Sequence, residues 1–306
     1  YPNLAGVVAV DLFAALACLM PATDITPQSI GVVITTYNSP AWLEKVLVGY
    51  ENQTDPDFRV IVADDGSTDD TRALIDRFRD RGTLTIDHVW HEDQGFRKCE
   101  ILNKAIRETA CDYLIFTDGD CIPEPGFIAT HRRLAQPGYF LSGGYIKLTM
   151  PVSETIAEDD IRSGVIFDPQ WLVDHGQPKT HKLWKLSPSA GFRQLLNTVT
   201  PAAASWNGMN SSTWTKDLRA VNGFNEDMQY GGLDRELGER LWNYGHKSKQ
   251  IRYSTVCLHL DHARGYSRPE IWEKNRAIRK AVKDNRTFWA DNGIEKSLRK
   301  TGPGTL

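Results

Sequence analysis

Tyr113-Leu114-Ile115-Phe116-Thr117-Asp118-Gly119-Asp120-Cys121-Ile122-Pro123 is the stretch on which the fold turns. Its apolar first half has the length and character of a buried strand, and Pro123 is a stop signal. Two carboxylates therefore sit at the C-terminal lip of a strand, where ligands bind in open α/β sheets. Residues two apart on an extended segment point the same way, so both acids can address one site. Paired carboxylates repel unless something positive lies between them, and a divalent cation that also grips a diphosphate is one good solution. Asp-Gly is also common turn chemistry, so the tripeptide alone leaves a solvated turn open.

Outward from this strand the chain alternates. Ile30 to Thr36 reads as a strand, Ala41 to Tyr50 as a helix, and Phe58 to Ala63 as a strand. Thr71 to Phe78 reads as a helix opened by the cap chemistry of Ser67-Thr68-Asp69-Asp70. Leu84 to Trp90 is a third strand and Lys98 to Glu108 a third helix. This alternation predicts an α/β fold with a mostly parallel sheet flanked by helices. After Met150 the rhythm breaks. Pro151 to Pro188 is polar and dotted with Pro and Gly, which predicts a long irregular segment, extending to about residue 205, that orders over a ligand. Regular signals return at Leu218 to Val221, Leu233 to Tyr244 and Arg252 to His259. Pro269 to Asp291 predicts an amphipathic C-terminal helix. Its Ile271, Ile278, Val282 and Trp289 share one face, better suited to docking on the body than to membrane contact.

The 306 residues are 41% hydrophobic and 25% charged, an ordinary globular balance with length for a large core. A formal charge of −3 gives no bulk attraction to nucleic acid. Cys18, Cys99, Cys111, Cys121 and Cys257 form no C-x-x-C pair, which argues against a disulfide framework or zinc site and favours a reducing compartment. Leu4 to Met20 is apolar but contains Asp11, is short for a membrane span and lacks a basic flank. It reads as a buried or docking helix that leaves room for peripheral attachment to a membrane surface.

Three polar clusters fall at strand C-termini, hence at one edge of a parallel sheet. They are Thr35-Thr36-Tyr37-Asn38, Asp64-Asp65-Gly66-Ser67 and the Asp118/Asp120 pair. Acidic residues suit hydrogen-bond acceptance from a base or ribose better than direct cradling of phosphate. No G-x-G-x-x-G follows the first strand and no Walker lysine motif is present, which disfavours a dehydrogenase or P-loop protein.

In this arrangement the sequence resembles the family 2 glycosyltransferases with the GT-A fold. The matching elements are Val33 to Asn38, Val62 to Ser67, Gly95-Phe96-Arg97 through Asn103-Lys104-Ala105, and Phe116 to Asp120. A later block, Asn207 to Ser212, Gly223 to Glu226 and Gly231-Gly232-Leu233-Asp234-Arg235-Glu236, resembles the acceptor-side half of galactosyltransferases and chondroitin polymerase. The resemblance covers about residues 29–262, divided into a donor half (29–150) and an acceptor half (151–262), flanked by an apolar segment or helix (1–28) and a C-terminal helical extension (263–306).

The resemblance implies a metal-dependent, inverting enzyme that moves a hexose or N-acetylhexosamine from a UDP-sugar to a glycan or glycolipid hydroxyl. Surface polysaccharide or lipopolysaccharide synthesis in the cytoplasm, at the inner face of the membrane, is the setting it implies. Thr35, Tyr37, Asp64 and Asp65 would line uracil and ribose, Arg97 would approach the nucleotide or sugar, and Asp118 with Gly119 would meet ribose or sugar. Asp120, with Asp118 and with His259 or His262, would hold the metal, Mn2+ before Mg2+. Asp234 would be the general base, and Trp206, Asn210 and Gly232 would face the acceptor. The family often has an acid just before the base, where this chain has Leu233, and Glu236 lies two residues beyond Asp234. The base is therefore open between Asp234 and Glu236, with Asp234 favoured because it directly follows the Gly231-Gly232 turn.

Each residue also has a plainer reading. Asp64 to Ser67 can be a turn and cap, and Asp234 to Glu236 a solvated helix start. His259 can be a satisfied core histidine, and Trp206 and Trp214 core aromatics. Two rivals to the transferase remain. A nucleotidyltransferase would present a basic, Gly-rich loop after the first strand, where this chain has Thr36-Tyr37-Asn38-Ser39-Pro40. A catalytically silent sugar- or nucleotide-binding module would not need Asp118, Asp120, Asp234 and His259 together.

Overall fold

The computed structural model describes residues 26–201, 203–263 and 268–296. The Leu4 to Met20 segment therefore lies outside the described residues. Among the described residues, no helix is long and apolar enough to cross a membrane.

The chain opens with β1 (Ile30–Thr36), α1 (Pro40–Glu51), β2 (Arg59–Asp64), α2 (Asp69–Arg81), β3 (Ile86–Trp90), α3 (Lys98–Glu108) and β4 (Tyr113–Asp118). These strands lie in the order β3-β2-β1-β4, all parallel. Their near-continuous apolar sequences reflect burial on both faces. Val32, Ile34, Val60, Val62, Tyr113 and Ile115 pack with Leu43 and Leu47 of α1 and Leu74 and Phe78 of α2. The alternate residues Val33, Ile61, Ala63, Leu114 and Phe116 pack on the other face with Ile101, Leu102 and Ile106 of α3.

Next come β5 (Cys121–Pro123), α4 (Phe127–Leu134), β6 (Tyr139–Ser142) and β7 (Gly144–Lys147). Then follow α5 (Met150–Thr155), α6 (Glu158–Ser163), α7 (Pro169–Asp174) and α8 (Ala190–Val199), with 3-10 turns at Val165–Phe167 and His181–Leu186. The chain continues with β8 (Ser211–Trp214), α9 (Thr215–Ala220), α10 (Leu233–Asn243), β9 (Lys247–Gln250), β10 (Val256–His259) and α11 (Pro269–Asp284). Strand β8 pairs antiparallel with both β4 and β6, and β9 extends the sheet beside β6. The sheet is thus mostly, not wholly, parallel. A second sheet, β5-β10-β7, stands at its lip.

The expectation of a long irregular segment after Met150 is corrected. Three short helices and two 3-10 turns fill 150–186. Val152, Ile156, Ile161, Ile166, Leu172, Leu183 and Leu186 anchor them in the first core cluster. The C-terminal helix ends at Asp284 rather than Asp291 and packs on α10. Val282 is buried, and Asn275 donates to the Gln229, Tyr230 and Gly231 carbonyls, so docking on the body is what this helix does.

Candidate active site

Register places the polar clusters together. Thr35 pairs with Asp118, Thr36 with Asp64, and Asp64 with Trp90, so the lip of the parallel sheet is level. A cavity of about 950 Å³ opens there, at the upper end of the range for small-molecule sites. Its wall includes Thr35, Tyr37, Asp65, Lys98, Asp118 to Asp120, Asn207, Gly231 to Arg235, His259 and His262.

At the first end, Thr35 donates its hydroxyl to Asp118 Oδ1 at 2.7 Å, and Lys98 Nζ lies 2.6 Å from the same oxygen. Burial disfavours the Lys98 ammonium, but the Asp118 and Asp234 carboxylates outweigh it and raise its pKa. Gly119 must be glycine, because a Cβ there would sit 2.9 Å from the Thr35 carbonyl oxygen. Asp65 accepts from the Arg97 N–H at 3.0 Å and lies 2.7 Å from His91 Nε2. Burial raises its pKa despite those partners. Tyr37 donates to Asp93 at 2.9 Å and is half exposed.

Asp64 is not part of the wall. It is fully buried, accepts from the Ser67 N–H at 2.8 Å and meets His88 Nε2 at 2.9 Å. Arg97 also turns away, toward the Glu92 carbonyl and Glu100. Its neighbour Lys98 enters the cavity instead.

The chain reverses at Gly119-Asp120 into β5, whose Cys121 pairs with His259 of β10. That pairing brings Asp120, His259 and His262 together, with ligand atoms all within 4.8 Å of one another. His262 Nε2 lies 3.1 Å from Asp120 Oδ2. His259 Nε2 lies 3.8 Å from the same oxygen, too far for a hydrogen bond, and its Nδ1 is buried without a partner. Burial alone would raise the Asp120 pKa, but the two imidazoles prevail and lower it. A carboxylate and two imidazoles, one of them buried with no close partner, fit a divalent cation. Asp118, Asp120 and Cys121 also cluster, but burial pushes the Cys121 thiol well above its usual range, so it is a poor ligand.

The start of α10 comes up beside Lys98. Gly231 and Gly232 precede it with φ of +109° and +87°, a backbone that suits glycine and turns the helix start into the cavity. Asp234 sits in that first turn. Its Oδ1 is buried with no hydrogen-bond partner, and the Gly208 N–H lies beside its carboxylate. Burial pushes its pKa up to about 6, with Lys98 opposing and Asp118 adding to the rise. Glu236 lies outside the wall. It is 1% exposed and grips Arg240 at 2.8 Å, and Arg240 in turn donates to the Val221 and Gly223 carbonyls.

Of the acceptor-side candidates, Gly232 lines the cavity. Trp206 reaches it only at the edge, since it is 1% exposed and packs against Phe116 and Phe140. Trp214 packs edge-on against Tyr113. Asn210 is buried and donates to the Gly144 carbonyl at 2.8 Å. The wall also contains Lys98, Trp42, Tyr145, Lys185, Arg252 and Trp272, none of which the sequence singled out. Lys98 had a signal, because it opens α3 directly after the Gly95-Phe96-Arg97 motif.

Residues 31–142 match the family described as Glycosyl transferase family 2. The chain is 31% identical over 245 residues to the validoxylamine A glucosyltransferase of Streptomyces hygroscopicus subsp. jinggangensis (strain 5008), covering 74% of this chain and 54% of that protein. It is 30% identical over 234 residues to the chondroitin synthase of Escherichia coli, covering 74% of this chain and 34% of that protein. The matched region thus spans about half, or less, of the length of these relatives. Among solved structures it is similar to a mannosyltransferase from Pyrobaculum calidifontis in complex with GDP-Man and Mn2+, with TM-score 0.54 at 20% identity, covering 88% of this chain and 68% of that one. By sequence and by the fold of its sheet, this chain belongs to the family 2 glycosyltransferases and is built on the GT-A fold.

Proposed function

We propose that this protein transfers a hexose or N-acetylhexosamine from a UDP-sugar to a hydroxyl of a glycan or glycolipid, with inversion and with a divalent metal, Mn2+ before Mg2+. One observation carries the reading: Asp234, whose carboxylate has a buried, unpartnered oxygen, lines the same cavity as the Asp120, His259 and His262 group. The names of the matched relatives, a glucosyltransferase and a chondroitin synthase, agree with carbohydrate substrates.

Thr35, Tyr37 and Asp65 bind the nucleoside, and Asp118 meets ribose or sugar while Lys98 neutralises it. Asp120, His259 and His262 hold the cation. When bound, that cation supplies Lewis-acid stabilisation of the charge on the departing diphosphate. Asp234 takes the proton of the acceptor hydroxyl as it attacks. A carboxyl near pH 6 is ionised at neutral pH yet more basic than an exposed aspartate, which suits the task. One carboxylate on the acceptor side is enough for a single inverting displacement, unlike the paired acids of glycosidases. The acceptors we propose are surface polysaccharides or lipopolysaccharides built in the cytoplasm, beside the inner face of the membrane.

A panel of UDP-sugars with Mn2+ tests this by thermal shift and UDP release. A ligand at a hundredfold its Kd adds about 2.7 kcal/mol of stability. Stabilisation by one UDP-sugar only when metal is present, with slow UDP release, supports the transferase. In Asp120→Ala both effects should vanish while the melt without ligand is kept. Pyrophosphate release from a nucleoside triphosphate plus a sugar phosphate would instead make it a nucleotidyltransferase.

A further inference from the structure

The cavity wall carries cations that the reaction just described does not use. Lys147, Lys185 and Arg252 all line it, and among the described residues none of them has a carboxylate within ion-pair distance. Two other half-buried cations of the wall differ: Lys98 is paired with Asp118, and Arg279 with Glu239. Lys185 is held in place, donating to the Tyr145 carbonyl at 2.8 Å with its ammonium over the Tyr145 ring. It rides on the 3-10 turn whose Leu183 and Leu186 are fixed in the core, so it is not a free surface lysine. Burial, with Arg252 and Lys182 adding like charge, pushes its pKa down to about 8. The chain has thus gathered positive charge in a partly desolvated wall and supplied nothing to balance it.

Position says which part of a substrate would supply the balance. Lys147 pairs with His259 across β7 and β10, and Tyr145 pairs with Cys257 two residues back along the same strands. Two residues of strand are roughly 7 Å. Lys185, fixed at Tyr145, is therefore displaced from the cation-holding group by about the width of a sugar ring.

Building on the glycosyl-transfer reading, we propose that Lys185 and Arg252, with Lys147 at their margin, receive an anionic group, a carboxylate or a phosphate, carried by the acceptor carbohydrate. The acceptor is then a uronate-containing or phosphorylated glycan rather than a neutral one.

The test uses the full chain with UDP and Mn2+, and three probes measured by ligand-observed NMR: methyl glucoside, methyl glucuronide and methyl glucoside 6-phosphate. A charge-assisted pair is worth roughly ten- to hundredfold in affinity. One charged probe should therefore bind at least tenfold tighter than the neutral one, and which of the two does so identifies the group. The preference should disappear in the Lys185→Met, Arg252→Gln double variant, with the neutral probe bound as before. The exposed Lys147→Gln change should weaken the preference by a smaller factor and serves if the double variant does not fold. Equal binding of all three probes, or a charged preference that survives the changes, overturns the proposal. A preference for UDP-glucuronate over UDP-glucose that is lost in the double variant also overturns it, because the cations would then serve the donor. Metal-dependent UDP release by the unmodified chain, followed in parallel, reports on the transferase reading alone.

Discussion

The two ends of the cavity handle their polar groups in opposite ways. At the lip of the parallel sheet every acid is already satisfied. Asp64 has His88 and the Ser67 N–H, Asp65 has His91 and the Arg97 N–H, and Asp118 has Thr35 and Lys98. Other groups of the wall leave valences open: Asp234 Oδ1 and His259 Nδ1 are buried without partners, and Lys185 has no carboxylate. A buried polar atom without a partner costs roughly 1–3 kcal/mol. The acids of the lip are therefore spent on holding its shape, which we propose receives a nucleoside, while the Thr36 and Thr117 hydroxyls there are buried without partners. The second end is held in an unfavourable state that a metal, a hydroxyl and an anion would relieve. Substitutions at the first end should act on folding and donor binding, and those at the second on turnover.

Asp234 and Glu236 sharpen this contrast most, because they lie two residues apart on α10. Asp234→Asn keeps the shape but removes the proposed proton acceptor, so kcat should fall about 10² to 10⁴-fold with donor binding kept and no loss of melting temperature. Glu236→Gln breaks the buried pair with Arg240 and should cost about 3–5 kcal/mol of stability. Turnover per folded molecule should survive at low temperature. Steady-state rates read beside thermal melts decide it. Turnover lost in Glu236→Gln with an intact melt would exchange the roles of the two acids.

The same contrast governs what could be read from the sequence. Strands β1 to β4 and helices α1 to α3 were legible because continuous apolar runs alternate with amphipathic stretches long enough to show a period. Strands β5, β6, β7, β8 and β9 have only three or four residues each, too few to show one. The three helices between Met150 and Asp174 have six residues each and anchor through single residues such as Val152, Ile161 and Leu172, so their sequence looks irregular. Lys185 and Arg252 escaped for the same reason, since they sit on short turns whose place at the cavity depends on the tertiary fold. Asp64 and Asp65 show the limit within a legible motif. Adjacent strand residues point to opposite sides, and only the register with β3 tells that Asp64 is spent on His88 while Asp65 meets the cavity.

A pH profile probes the open end by a second route. The Asp234 carboxyl, raised to about 6 by burial, is protonated below that pH and cannot accept the acceptor proton. The profile of kcat/KM should therefore show an acid limb of unit slope near pH 6. Stability runs the other way. A carboxyl whose folded pKa is raised favours the fold most when protonated, fully so below about pH 4, and that contribution is lost as pH rises through about 6. Asp234→Asn should consequently raise the melting temperature at pH 8 relative to the unmodified protein and change it little at pH 4. A limb displaced to pH 4, with no pH-dependent gain in the melt, would mean that the Asp234 carboxylate is solvated and its free oxygen is not a stored valence.

The smallest effect belongs to the finished end. Tyr37 is half exposed at the lip, and its hydroxyl makes one hydrogen bond, to Asp93. Tyr37→Phe keeps the ring on which a base can lie and removes only that bond, so the residue loses orientation rather than surface. An exposed hydrogen bond, screened by water, changes binding by about two- to tenfold. The donor KM should rise by that factor with kcat unchanged, because nothing about Tyr37 touches the reacting hydroxyl. A fall in kcat at constant donor KM would place Tyr37 with the unsatisfied groups of the wall. The division between a scaffold end and a reacting end would then be false at its outermost residue.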